Sequence, residues 1–231
     1  MNPIDALAPD ELHAYALALK LEAMAFYLPP SEAFLAHLAG GDLLEGWPLG
    51  PDDPRTQHGL RLVHGALQAP AGQLLPALRS EYTALFIGLE QVDAPPWESV
   101  YLSPDHLLFD VQTLQVREAY AAYGLEIPNL DHEPDDHIGY ELLFLSHLLA
   151  GAAEALAQGE APAAAAPAAA ERLRAARAFL HGHPQRWAGQ FAERVDRFAS
   201  GDYYRGLAFL LLGSLAALDA VLAAALAEGQ A

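Results

Sequence analysis

The chain has 231 residues, 53% of them hydrophobic, and a formal net charge of −18. It has no cysteine, which excludes disulfide frameworks, thiolate metal sites, iron–sulfur clusters and cysteine nucleophiles and fits a cytoplasmic location. Lys20 and eleven arginines face thirty acids, so nucleic acid is a poor partner class and a basic peptide a better one.

Residues 1–15 carry no positive region ahead of an apolar stretch, so no secretory signal is expected. The dominant period is 3.6. Leu12, Tyr15, Leu19 and Phe26 share a face of a first helix that Pro9 and Asp10 start and Pro29-Pro30 end. Ser31 suits the cap of a short helix that stops at Gly40-Gly41. A third helix is expected over 54–68. A fourth is expected over 72–87, with Leu74, Leu78, Tyr82 and Leu85 inward and Pro76 near its first turn.

Residues 88–103 interrupt the pattern. Pro95-Pro96 forbids a continuous helix, yet Trp97, Val100 and Tyr101 are large and apolar. An aromatic loop of this kind packs on the core or forms a binding surface. Ser103-Pro104 predicts a restarted helix running to Tyr123 and closed by Gly124. After a loop over 125–134, a helix is expected from near Asp135, with Ile138, Leu142, Leu145 and Leu149 at helical spacing.

Residues 159–170 (GEAPAAAAPAAA) read as an Ala/Pro-rich surface linker. Three helices follow: one over 168–180, one after Pro184 carrying Trp187, Phe191, Val195 and Phe198, and one from near Asp202. Residues 206–226 are long enough to span a bilayer. Asp219 interrupts them, and a mid-membrane Asp costs roughly 2.5–3.5 kcal/mol, so a buried core helix is expected and no stable membrane insertion. The whole reads as an all-α compact bundle of about ten helices.

Enzyme motifs are absent. His132 and His137 in HEPDDH are five apart, about 140° around a helix, and Pro134 lies between them. They therefore fail the zinc-protease pattern, which needs a spacing of four. No nucleophile elbow, phosphate loop or dinucleotide turn occurs. No catalytic residue, metal ligand or cofactor is expected.

Charge placement says more. Between Glu90 and Glu141 lie twelve acidic residues and one basic residue, Arg117, while residues 172–205 hold seven of the twelve basic ones. The acidic stretch also carries Pro95-Pro96, Trp97 and Tyr101. Acids beside an apolar groove suit a peptide with arginines next to an apolar run. In this reading Glu98, Asp135 and Asp136 attract the arginines, while Trp97, Tyr101, Leu85 and Phe86 receive the apolar stretch. His137, one turn before Glu141, pairs with it and fixes one loop against the other. A capping or packing role for His137, with Asp135 or Asp136 at the helix cap, is the competing reading.

Four blocks in order carry a family resemblance: EYxxLFxG (Glu81 to Gly88), PWESVY (96–101), EPDDHIGYE (133–141) and FLxxHxxxW (179–187). Together they resemble the TorD/DmsD family of maturation chaperones for molybdenum enzymes, the third block being the specific one. The resemblance implies an all-helical, cytoplasmic chaperone with a hinge near 131–137 between subdomains 1–131 and 132–231 that act as one unit. It implies binding of the twin-arginine signal peptide and of the apo catalytic subunit of a dimethyl sulfoxide or trimethylamine oxide reductase type enzyme, before Tat export. Carried over by position, the peptide site comprises Leu85, Phe86, Trp97, Glu98, Ser99, Tyr101, Glu133, Pro134, Asp135, Asp136, His137 and Glu141. The resemblance also implies a monomer or a domain-swapped dimer and weak guanine nucleotide binding, for which no phosphate loop is seen. Trp97 and Tyr140 stand where tyrosine and leucine are commoner. Rival readings are a NarJ-like assembly chaperone of a membrane-bound nitrate reductase and a His137/carboxylate hydrolase.

Overall fold

The computed structural model describes residues 7–40, 43–88, 92–105, 107–128, 133–158 and 162–227. Among them are ten α-helices, one π-helical segment and no strand. The helices are α1 (Pro9–Tyr27), α2 (Glu32–Ala39), α3 (Pro54–Leu67), α4 (Ala71–Tyr82), α5 (Glu98–Leu102), α6 (Val111–Ala121), α7 (Ile138–Gln158), α8 (Pro162–Gly182), α9 (Pro184–Phe198) and α10 (Asp202–Ala227).

The helix ends follow local chemistry. Pro at the first helical position opens α1, α3 and α9, where its missing N–H costs no intrahelical bond. Ser31 Oγ accepts the Phe34 N–H at 3.2 Å and Asp53 Oδ1 the Arg55 N–H at 2.8 Å, capping α2 and α3. Pro76 lies inside α4 rather than in its first turn. The expected fourth helix does reach Ile87, but over Thr83–Ile87 it widens to a π-helix, closed by Gly88 N–H donating to Thr83 O at 2.7 Å. Gly88 then takes φ 62°, in the left-handed region, which a side chain would disfavour.

Two long pairings organise the bundle. α1 lies along α7, where Ser146 Oγ donates to the Ala16 carbonyl at 2.7 Å. α3 lies along α10, and there the backbones nearly touch: a Cβ on Gly59 would sit 2.5 Å from the Gly206 carbonyl oxygen. α8 covers α7, and α9 closes against α10. Phe26, Phe86, Phe191 and Tyr204 meet at the centre, with ring centroids 5.3–6.0 Å apart in the pairs Phe26–Phe86, Phe26–Phe191, Phe86–Phe191 and Phe86–Tyr204. The anticipated division near 131–132 falls on residues outside the described ones, and helices before and after it share one buried core.

Two helices, Ile138–Ala157 and Asp202–Ala227, are long and apolar enough to cross a membrane. Here both are core helices, with Leu142, Leu145, Leu207, Leu211 and Leu218 buried. Asp219, which interrupts the apolar run of α10, accepts from Arg177 Nε at 3.1 Å and lies 2.6 Å from His181 Nε2, both on α8.

Two expectations need correction here. The helix foreseen over 103–123 is shorter, starting at Val111, where Asp110 accepts the Val111 N–H at 2.7 Å. The Ala/Pro segment read as a linker is helical from Pro162 onward, with Pro167 inside α8 and Ala169 and Ala170 buried. Alanine is a strong helix former, and a single proline in an early turn does not overrule the run. Phe198, the last residue of α9, is exposed and lies against Arg194 and Arg197.

Candidate functional site

The PWESVY and EPDDH segments meet. Residues 97 and 137 form an antiparallel bridge: Glu98 N–H donates to Asp136 O at 2.9 Å and Ile138 N–H to Pro96 O at 2.8 Å. This rung joins two stretches that are otherwise loop. Alternation along extended backbone turns Trp97 and His137 toward one side, their rings 5.8 Å apart, and sends Glu98 and Asp136 into the interior.

On the Trp97–His137 side lies a cleft of about 490 Å³. Tyr27, Leu28 and Pro29 at the end of α1 form one wall. Arg79, Tyr82, Thr83, Phe86 and Ile87 of α4 and the π segment form another, and Trp97, Glu133 and His137 the third. The π segment places Phe86 against the core and leaves Ile87 57% exposed at the mouth, near Leu28 at 44%. π-bulges recur where a helix must present side chains to a ligand.

Glu133 is the carboxylate of this cleft. Its Oε2 accepts from Tyr140 Oη at 2.9 Å and Tyr27 Oη at 3.2 Å, and the two hydroxyls lie 2.6 Å apart. Burial first, and then this crowding of oxygens, raises the Tyr140 phenol. Arg79 is the cleft's cation, its Nε donating to the Pro30 carbonyl at 3.0 Å. His137 is buried, and burial pushes its pKa down to about 3. The ring is therefore neutral, and its Nδ1 accepts the Gly139 N–H at 3.0 Å, which puts the proton on Nε2. Gly139 is the second residue of α7, so His137 serves that helix as cap.

The buried side of the rung is structural. Asp136 Oδ2 accepts the Ser99 N–H at 2.6 Å, and Oδ1 accepts the Thr113 hydroxyl at 2.8 Å. Burial raises the Asp136 pKa despite these bonds. Asp135 pairs with Arg117 at 2.8 Å. Glu98 Oε2 lies 2.8 Å from His183 Nδ1, and Glu141 Oε2 accepts from Trp187 Nε1 at 3.1 Å. Desolvation first, then the charges of Glu98 and Asp136, raise Glu141 well above the carboxylate range.

The expected site residues thus divide. Phe86, Trp97, Glu133 and His137 line the cleft. Leu85, Glu98, Ser99, Pro134, Asp135, Asp136 and Glu141 are buried beneath it. Tyr101 is partly buried and stacks on Trp187, 5.3 Å between centroids. Glu98, Asp135 and Asp136 therefore do not form an exposed acidic face, because each is consumed by an internal partner. His137 and Glu141 do not pair either: the first caps α7, and the second turns to Trp187 on α9. The cleft residues that sequence reasoning misses are Tyr27, Leu28, Pro29, Arg79, Tyr82, Thr83 and Ile87, together with the hydrogen-bonding Tyr140. The available signal for Tyr140 is an aromatic residue where leucine is commoner.

Residues 52–193 match the family model described as nitrate reductase delta subunit. The chain belongs to this family. Within it the chain is similar to a probable Tat proofreading chaperone DmsD of Haemophilus influenzae, 25% identical over 82% of each chain. A chaperone protein TorD of Vibrio cholerae is 30% identical over 58% of this chain and 57% of that one. A structure titled as a putative redox enzyme maturation protein from Archaeoglobus fulgidus overlays with TM-score 0.48 and 24% identity, covering 86% and 90% of the two chains. Members of the TorD/DmsD family are chaperones, and this chain is one of them rather than an enzyme.

Proposed function

We propose that the chain is a cytoplasmic maturation chaperone that binds the twin-arginine signal peptide of a molybdoenzyme in the Tyr27–Phe86–Trp97–His137 cleft. The observation that carries this reading is the composition of the cleft: one carboxylate, Glu133, beside an apolar mouth made by Leu28, Ile87, Phe86 and Trp97, with the one lining cation, Arg79, engaged by the Pro30 carbonyl. An arginine placed on Glu133 makes charge-assisted bonds in a partly desolvated site, and the apolar residues after it lie along the mouth. The net charge of −18 steers a cationic leader from a distance. The name of the DmsD relative, a probable Tat proofreading chaperone, supports a client that carries a Tat leader.

Calorimetry with a synthetic leader peptide tests it. Glu133→Gln and Trp97→Ala should each weaken binding, changing both arginines of the peptide to glutamine should weaken it more, and raised salt should slow association. Unchanged affinity in both protein variants would remove the cleft from the mechanism.

The family model's own description favours a second reading, assembly of a nitrate reductase. Capture of a client whose catalytic subunit has no twin-arginine leader would decide for it.

A further inference from the structure

Below the rung, Glu98, Glu141 and His183 converge from three elements: the first residue of α5, the first turn of α7, and the corner between α8 and α9. One ligand atom from each lies within 4.8 Å of the other two. Glu98 and Glu141 are fully buried, and the His183 side chain is 12% exposed. After the His183 and Trp187 contacts are counted, Oε1 of Glu98 and Oε1 of Glu141 have no partner. The two carboxyls lie within hydrogen-bonding reach of each other, and in a dry interior such a pair needs either a proton or a positive centre between them.

Among the described residues, the potential cation beside the pair is His183, 2.8 Å from Glu98 Oε2. Arg117 is committed to Asp135, and Asp136 adds a further acid nearby. Trp187 contributes an N–H but no charge.

We infer that Glu98, Glu141 and His183 form a binding site for a divalent transition-metal ion of the zinc, cobalt or manganese class. Two carboxylates and a neutral imidazole balance a doubly charged ion, and all three donor types are ordinary ligands for it. A proton shared between the carboxyls would use only two of the three donors, whereas the imidazole directed at the same region supplies the third. On binding, the ion replaces any proton between Glu98 and His183, and that proton leaves to solvent. Water completes the coordination, and the partly exposed His183 edge is the entry path. Trp187 acts as a positioning residue by holding the outer oxygen of Glu141, as such second contacts do in metal sites.

Cobalt titration of the metal-stripped full chain tests the site. One equivalent should bind with visible d–d absorption, and Glu141→Gln or His183→Gln should weaken it by about tenfold or more. Zinc should raise the Tm of the parent chain but not that of either variant. Should a variant fail to fold, the Glu22→Gln chain, which lacks the separate buried acid at Glu22, still decides: the infrared carbonyl band that the protonated carboxyl of the Glu98–Glu141 pair contributes should disappear on adding metal. No cobalt spectrum, undiminished affinity in folded variants, or an acid band that persists at saturating metal each overturns the site, the last in favour of a shared proton only.

Discussion

Asp136 caps a helix to which it does not belong: its carboxylate accepts the Ser99 N–H at 2.6 Å across 37 residues of sequence. α5 is only five residues long, and its own N-cap, Trp97, has no side chain able to accept. The short helix therefore exists because the EPDDH segment reaches it. Asp136→Ala removes the cap and leaves the buried Thr113 hydroxyl unpaired. The loss should be about 2–4 kcal/mol, combining a cap with an unsatisfied buried group. Urea denaturation measures it, and Asp136→Asn should recover part.

His137 gives an acid-side dependence. Its pKa falls from 6.5 to about 3 on folding because burial disfavours the cation. Between those values the unfolded chain binds a proton that the folded chain refuses, so stability falls as pH drops through that window. His137→Asn keeps an acceptor near the Nδ1 position and should flatten the slope. Urea midpoints taken across the window provide the check, and an unchanged slope would show that other groups carry it.

Glu22 acts with the opposite sign. It is buried on α1 and accepts from Ser214 Oγ at 2.9 Å, while Ser214 accepts from Trp47 Nε1 at 3.1 Å. Burial raises its pKa to about 8. Between 4.5 and about 8 the folded state holds a proton that the unfolded state has released, so stability falls as pH rises. Glu22→Gln should remove that decline and make the protein more stable than the parent at alkaline pH, read from thermal melts.

Gly59 sets the spacing of α3 and α10. An added Cβ would meet the Gly206 carbonyl at 2.5 Å and the Leu210 nitrogen at 2.7 Å, both main-chain atoms that cannot swing aside. Gly59→Ala should cost about 1–3 kcal/mol by overpacking, although alanine is the better helix former. Gly65, in the same helix with nothing within 4 Å, is the control, and there alanine should stabilise by about 0.5–1 kcal/mol. Calorimetric melts of the two variants should move in opposite directions.

The long helices were legible because a 3.6-residue apolar period reports which face is inward, as at Leu12, Leu19 and Phe26. α5 was not, since five residues contain too little period and its cap is supplied from elsewhere in the chain. The π segment was invisible for a related reason: one extra residue in a turn leaves the apolar pattern of Tyr82, Leu85 and Phe86 nearly intact. For the site, the motif blocks located the two segments that meet, but counting acids by position misjudged them. Asp135, Asp136, Glu98 and Glu141 resemble surface charge in a linear sequence, and only their partners, Arg117, Thr113, His183 and Trp187, turn them inward.

The rung between residues 96–98 and 136–138 has a kinetic corollary. The amides of Glu98 and Ile138 can trade hydrogen for deuterium only when the two segments part, and parting them also strips α5 of its cap. Two amides at the very starts of α5 and α7, where helical N–H groups have no intrahelical partner, should therefore exchange as slowly as mid-helix ones and open together, as a single cooperative latch.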